Sequence, residues 1–568
     1  MKIRSKKLLG ELLVEKKVIS PEQLDAALRE QKKTGELLGL TLLRLGFVPE
    51  EAAYLPILAE HFGVEFISLK DVTVSPDAIA KLPAKFAYHY KVMPVAFAHG
   101  VLKVAMARPL DIHALDDLGI IVKTRIKSVL SSEKDILETI RKYYGIGAET
   151  IEQMMGAGAA QSSQKPQEAA LDIEEIGSEA SIAKFINQIF LEAYRDRATD
   201  VHIEPFENEL RIRYRIDGIL YEAKTPPKIN VFKDAINSRI KIMSNLNIAE
   251  KRLPQDGRLK VRVGDVDLDL RVSFLPTQYG ESVVIRILSS AKLYNLEQLG
   301  LAGQDLHILD SLIRKPHGII FVTGPTGSGK TTTLYSCLAR VNHLDRKIIT
   351  IEDPIEYQIG GITQIQINPK IGLSFAAGLR SMLRHDPDIM MVGEVRDLET
   401  AEIAIQVALT GHLVFSTLHT NDAASAITRL LDMGIESYLI ASSVECFIAQ
   451  RLVRLICPRC KKISPITEEM KKEFGLSQGD VQNVTVYEGG GCESCKFTGY
   501  YGRQGIYEFL PLNDSIREMI IARATASQIK AEAVKSGMRT LRQDGWERVK
   551  QGMTTPSEII RVTQEESI

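Results

Sequence analysis

The stretch GIIFVTGPTGSGKTTTLYSCLARV, residues 318–341, decides the fold. GIIFVT is a short apolar run with β character. The next eight residues, Gly324-Pro325-Thr326-Gly327-Ser328-Gly329-Lys330-Thr331, fit G-x-x-x-x-G-K-[ST] in full. Thr332 and the residues after it repeat apolar side chains at helical spacing. A strand, a glycine loop and a helix start therefore follow one another directly. Glycine lets such a loop curl until its N–H groups point inward at phosphate oxygens. The helix start adds partial positive charge. Lys330 would reach the β and γ phosphates, and the Thr331 hydroxyl could ligate Mg²⁺. The bland alternative is a glycine turn that happens to precede a helix.

Three more apolar runs surround this one: KIITIED, DIMMVGE and HLVFSTLH, each separated by helical stretches. Runs of that kind suit strands buried on both faces of a parallel sheet with crossover helices. The expected class is α/β. Glu352 and Asp353 follow IITI, with Glu356 close behind, and Glu394 follows DIMMVG. Ligands of parallel sheets lie at the carboxyl ends of strands. Glu394 is accordingly assigned as the water-activating base and Glu352 as a second carboxylate near metal and water. A helix cap is the competing role for either. His412 and His419 bracket the run HLVFSTLH, and both are candidate sensors of the γ-phosphate.

Upstream, residues 1–145 read as mostly helical. Leu8-Leu9-Gly10 and Leu37-Leu38-Gly39 open two similar segments, Ser20-Pro21-Glu22 and Pro49-Glu50 look like helix starts, and a hairpin is expected around His99-Gly100. Residues 146–178, rich in Gly, Ala, Ser and Gln, read as a flexible linker. Ser181 is expected to open an amphipathic helix, and residues 179–290 a small α/β domain. Its strands alternate cleanly: Arg211, Arg213 and Arg215 share one face, and Asp267, Asp269 and Arg271 do the same in DVDLDLRVSF. Arginine rows usually face solvent. Beside a nucleotide, Arg271 and Arg286 could instead stabilise charge developing on a γ-phosphate. Residues 291–568 form the domain that carries the phosphate loop, with a helical last hundred residues apart from a Cys- and Gly-rich insert at 457–495.

The formal charge is −1, from 71 Lys+Arg and 72 Asp+Glu, which gives no general reason to coat nucleic acid. No apolar run approaches a membrane span, and the basic amino terminus lacks the marks of a signal peptide, so a cytoplasmic protein is expected. Six cysteines do not make a disulfide scaffold. Cys457, Cys460, Cys492 and Cys495 form two C-x-x-C pairs with 31 residues between them, a ligand set suited to tetrahedral Zn²⁺. A thioredoxin-like redox pair is the alternative. Cys337 and Cys446 fall in helical patterns as small core residues.

These motifs together resemble the type II/type IV secretion ATPase superfamily, most closely its pilus-assembly (extension) branch. IITIEDPIEY resembles its Asp box, LRSMLRHDPDIMMVGEVRD its Walker B region, TGHLVFSTLHTNDA its His box, and the tetracysteine insert its zinc module. The resemblance implies a RecA-like core with a PAS-like second domain and an MshEN/GspE-like amino-terminal regulatory or docking domain. It implies ATP and Mg²⁺ at Gly324–Thr332, with Glu394 and Glu352 as the catalytic carboxylates and Arg271 and Arg286 as arginines given by the smaller domain. It further implies a homohexamer that reaches the inner membrane through a platform protein and turns ATP hydrolysis into pilin assembly. The same chemistry would serve a type II secretion machine. A nucleic-acid motor and a sensor without ATPase activity are the remaining alternatives. Two departures stand out. Gly393, not Asp, precedes Glu394, and the repeats lack the arginine of the R-L-G-type motifs that bind cyclic di-GMP, with Lys17 where the second copy has Gly46. Cyclic di-GMP binding and a helical docking module are both left open for this domain.

Overall fold

The computed structural model describes residues 9–563 apart from 37, 49–52, 110, 146–147, 149, 152–172, 227, 264–265, 289–293, 302 and 475–483. Leu8, Leu37, Pro49-Glu50 and most of the expected linker, including 152–172, lie outside the described residues. The chain divides into two units, Met1–Ile287 and Leu288–Ile568.

The first unit opens with helices Leu9–Glu15, Pro21–Thr34, Leu38–Arg44 and Leu55–Phe62. Ser20 caps the second, accepting from Gln23 N at 3.2 Å while Gln23 Oε1 accepts from Ser20 N at 2.8 Å. The repeated Leu-Leu-Gly has a packing cause. A Cβ on Gly10 would lie 2.5 Å from Leu24, and one on Gly39 2.7 Å from the Tyr54 ring. Each glycine lets two helices cross closely. The hairpin at His99-Gly100 is present as β1 (Val92–Ala98) and β2 (Val101–Met106). A third strand, β3 (Arg125–Leu130), pairs parallel to β2, so this region is less helical than its sequence suggests.

Helix Ile173–Arg195 follows. It starts before Ser181, inside the stretch read as linker. Six strands come next: β4 (Ala198–Pro205), β5 (Leu210–Ile216), β6 (Ile219–Glu222), β7 (Gln255–Val263), β8 (Val266–Thr277) and β9 (Gly280–Leu288), in sheet order β6-β5-β4-β9-β8-β7. Their alternation holds. Ile212, Tyr214, Leu268, Leu270 and Val272 are buried with Phe185, Ile186 and Ile189 of the helix.

The second unit is built on a seven-stranded sheet. Its strands are β10 (Gly318–Thr323), β11 (Ile348–Glu352), β12 (Thr363–Gln366), β13 (Ile389–Val392), β14 (Leu413–Leu418), β15 (Val444–Ile456) and, after the insert's β16 (Lys461–Ser464) and β17 (Val486–Gly489), β18 (Tyr500–Pro511). The order is β12-β11-β13-β14-β10-β15-β18, all parallel except the β15–β18 pair. Every residue of β10, β11, β13 and β14 is buried, as expected of strands with helices on both faces. The expected helical end is present after Pro511 as Asp514–Ile521, Ala526–Lys535, Leu541–Lys550 and Pro556–Val562, and the correction concerns what precedes it. Val444–Ile456 and Tyr500–Pro511 are long strands, and Cys446 is a strand residue.

Glu558 ties the last helix, Pro556–Val562, to β15. It is 1% exposed and accepts from Arg454 N (3.0 Å), Arg454 Nη2 (2.7 Å) and Arg561 Nη2 (2.7 Å). Burial would raise its carboxyl pKa, but the Arg561 and Arg454 bonds outweigh burial and hold it below the usual value. Its contribution to stability is therefore present at neutral pH and fades as pH falls below the ordinary glutamate range. Glu558→Ala strands a buried guanidinium and should cost about 3–5 kcal/mol, seen as a lower urea midpoint for this unit.

Candidate functional site

The parallel register fixes where chemistry collects. Thr323 of β10 sits beside Leu418 of β14 on one side and Ala449 of β15 on the other. The segments after these three residues, 324–329, 419–422 and 450–451, therefore meet along one rim, as does Glu394 beyond β13.

The loop is packed so closely that only glycine fits. A Cβ on Gly324 would lie 2.6 Å from Gln450 O, and one on Gly329 2.8 Å from Gln450 Nε2. Gly327 and Gly329 also have positive φ, 80° and 90°. Lys330, 9% exposed, begins helix Lys330–Val341 and turns back to donate to Gly324 O (2.7 Å) and Pro325 O (3.1 Å). The buried Ser328 Oγ has no hydrogen-bond partner. Pro325, Thr326 and Thr331 are exposed at the mouth and Thr332 is half-buried. A glycine loop at a helix start, a buried ammonium and an exposed hydroxyl fit a nucleoside triphosphate and its Mg²⁺.

Glu394 is the loop's acidic counterpart. Its Oε1 lies 2.6 Å from Arg396 Nη2, and its Oε2 3.4 Å from His419 Nε2. Burial lowers the Lys330 pKa to about 8, with Arg451 adding to the fall and Glu394 resisting it. Burial and then the charge of Lys330 also lower His419, which favours the neutral ring at pH 7. Arg396 is raised, first by its bond to Glu394, and the exposed Asp353 adds to this. Gly393 has a steric cause. A Cβ there would come within 3.3 Å of Glu352 Cα and Ile351 O, so the aspartate expected from the resemblance has little room.

Glu352 is placed differently from Glu394. It is 3% exposed, and its carboxylate accepts from Tyr335 OH, from Thr350 Oγ1 (2.6 Å) and from Gln364 Nε2 (3.1 Å). His412 is a correction. It precedes Leu413, which pairs with Gly318 and Ile389 at the amino ends of β10 and β13. That end is about 20 Å from the loop at ~3.3 Å per strand residue. His412 Nδ1 bonds Val407 O at 3.0 Å instead. The two ends of one strand cannot serve the same rim.

Sequence reasoning missed Arg451 and Tyr335. Arg451, 7% exposed, donates to Asn421 O at 2.8 Å. Its signal was a lone charge inside the apolar run FIAQRLV. Arg271 and Arg286 belong to the first unit. Arg271 lies opposite Arg258 on β8, and Arg286 Nε donates to Asp200 Oδ1 at 3.0 Å.

A second cluster lies in the insert. The Sγ atoms of Cys457, Cys460, Cys492 and Cys495 all lie within 4.8 Å of one another, with no disulfide. Cys457–Cys492 and Cys460–Cys495 are 3.8 Å apart and Cys492–Cys495 3.7 Å. A metal–sulfur length of about 2.3 Å gives tetrahedral edges of about 3.8 Å. Cys495 Sγ also accepts from Cys492 N (3.2 Å) and Gly499 N (3.3 Å). The set fits a structural metal ion.

A parallel sheet with a phosphate loop, a rim carboxylate and a buried lysine defines a RecA-like P-loop ATPase. Residues 175–561 match the family described as type II/IV secretion system protein, and residues 62–150 match the MshEN domain. The chain belongs to the type II/IV secretion ATPase family, and it is an ATP hydrolase. It is 44% identical over 558 residues to "Type IV pilus assembly ATPase PilB" of Myxococcus xanthus, covering 97% of this chain and 98% of the relative. It is 42% identical over 562 residues to "Type II secretion system protein E" of Xanthomonas campestris, covering 98% of each. The fold is that of the Legionella pneumophila ATPase DotB, at TM-score 0.51 and 20% identity over 71% of this chain and 98% of that one.

Lys330 must be charged to meet phosphate, so binding at alkaline pH should take up a proton. Between pH 7 and 9 nucleotide affinity should fall with rising pH, the free lysine losing its proton near 8 while the nucleotide stays ionised. Calorimetry at pH 8.5 in buffers of different ionisation heat should register that uptake, and Lys330→Ala should abolish nucleotide binding or turnover.

Proposed function

We infer that this protein is the motor ATPase of type IV pilus assembly. The observation that carries the reading is the end-to-end match to the Myxococcus pilus-assembly ATPase, which includes the amino-terminal region as well as the core. Six subunits form a ring on the cytoplasmic face of the inner membrane. No described helix is long and apolar enough to cross a membrane, so attachment runs through partners, chiefly a platform protein.

Within each subunit the loop N–H groups and Lys330 hold the phosphates. Thr331 would hold Mg²⁺, which would neutralise charge on the phosphates. Glu394 takes the proton of the attacking water, and the neutral His419 beside it senses the γ-phosphate. Glu352 is the second carboxylate, acting from inside the strand end. Arg271 and Arg286 stabilise charge on the transferred phosphoryl group, Asp200 holding Arg286 in place until then. The cysteine tetrad binds Zn²⁺.

The nearly equal match to a type II secretion ATPase supports a second reading with the same chemistry and another cargo. Co-purification separates them: the pilus reading expects the pilus platform protein and a rise in ATPase rate on adding its cytoplasmic domain. Capture of a secretion platform protein alone would overturn it. Glu394→Gln should keep ATP bound and lower turnover by about 100-fold or more, read as phosphate release. Metal analysis of the wild type should find one zinc per chain. Cys492→Ser should lose it and lower the unfolding midpoint.

A further inference from the structure

Tyr335 lies five residues after Lys330, on the helix that the phosphate loop starts, and is 0% exposed. Its hydroxyl makes two bonds to the Asp-box segment. It donates to Glu352 Oε2 and accepts from Glu356 N at 3.3 Å. One phenol oxygen thus bridges both ends of the turn that carries Asp353. Its ring stands edge-on to Tyr357, 4.6 Å between centroids, at the far side of the same segment. Burial, with the bond to Glu352 second, raises the phenol's pKa well above its ordinary value, so the hydroxyl remains a donor. The other Glu352 oxygen is taken by Thr350 and Gln364.

The helix bearing Lys330 and the strand end bearing Glu352 are separate elements. Two of their side chains meet in a buried contact. A tyrosine is costly there unless its hydroxyl is matched, because an unpaired buried hydroxyl is penalised. Phenylalanine would fill the same space without that requirement. The hydroxyl is therefore the informative part of the residue.

We propose that Tyr335 is a positioning residue for hydrolysis: from the phosphate-loop helix it fixes the Glu352 carboxylate and the Glu356 amide, so that the acidic turn keeps its register with the bound nucleotide. The proposal rests on the reading of Glu352 as the second carboxylate. No proton need leave Tyr335 in the cycle. Its contribution is geometric, and a misplacement of about 1 Å at a reacting centre can cost 100-fold.

The test uses the full-length chain. Tyr335→Phe keeps the ring and its packing and removes only the oxygen. Expected is a fall in kcat of about 10-fold or more with KM and fluorescent-ATP affinity within about threefold, since both bonds of the hydroxyl go to the Asp-box segment. The paired measurement is Tyr335→Phe combined with Glu352→Gln. If the hydroxyl acts through the carboxylate, the double variant should be no slower than Glu352→Gln alone. A kcat within twofold of wild type for Tyr335→Phe overturns the proposal. So does a double variant whose loss is the product of the two single losses, and so does loss of nucleotide binding in Tyr335→Phe. Wild-type kcat in Glu352→Gln with a slow Tyr335→Phe would instead overturn the reading of Glu352 and leave the tyrosine acting through the Glu356 amide.

Discussion

The phosphate loop lies against the middle of β15 with no room for a side chain at Gly324 or Gly329, and the rim of the sheet depends on that contact. Gln450 stands at its centre. Its carbonyl blocks Gly324, its amide nitrogen blocks Gly329, and its Oε1 accepts from Thr333 at 2.8 Å. Thr333 lies one turn into the helix that Lys330 begins. Gln450 thus packs against the first glycine of the loop with its backbone and against the last with its side chain, and that side chain also bonds the helix that follows. Such a loop can aim N–H groups only one way, at a phosphate. A Cβ at Gly324 would meet the Gln450 carbonyl, and one at Gly327 or Gly329 would strain a positive φ.

Much of this was legible because it is written locally. The loop's glycines, the lysine and the helix start are neighbours in sequence, and so are the strand ends that carry Glu352 and Glu394. The cysteine pairs are legible for the same reason: each half-site is a C-x-x-C, and only the meeting of the halves needs the fold. What failed was non-local. His412 and His419 look equivalent as flanks of one apolar run, but a strand has two ends and a parallel sheet uses one of them for ligands. Within β15, Cys446 was read in a helical pattern because VECFIAQRLVRLI spaces its apolar residues in a way either period can accept, and β18 was taken into the helical end. Their pairing, Cys446 with Pro511 through Ile456 with Tyr500, spans an insertion that hides the hairpin. Tyr335 had no signal at all, since an aromatic residue in a helix reads as core.

The insert shows how a fold tolerates such an interruption. Cys457 N donates to Gly499 O at 2.9 Å immediately beyond the last β15–β18 pair, so the two chains leave the sheet together. Within the excursion β16 and β17 make a two-stranded ribbon, which is marginal alone. Among the described residues of 457–499, only Cys457, Val486, Cys495 and Gly499 are buried. A core that small cannot offset the entropy of ordering the excursion. A metal ion held by four thiolates at tetrahedral spacing would supply what the apolar residues do not, as a folding element of the ATPase unit that stands outside the chemistry.

The charge at the rim explains why the loop waits for its ligand. Lys330, Arg451 and Arg396 gather there with Glu394, and burial of the lysine costs enough to bring its pKa to about 8. In this state the ammonium is spent on the carbonyls of its own loop, at 2.7 and 3.1 Å. A triphosphate offers the lysine charged acceptors in place of neutral ones, and charge-assisted bonds are roughly twice as strong. Exchange of partners therefore favours binding, frees the two carbonyls, and moves Lys330 relative to Gly324 and Pro325. The motion begins at the loop and passes into a helix whose side chains already reach Gln450 through Thr333 and Glu352 through Tyr335. Thr333 ties that helix to the middle of β15 and Tyr335 ties it to the carboxyl end of β11, both through buried side chains.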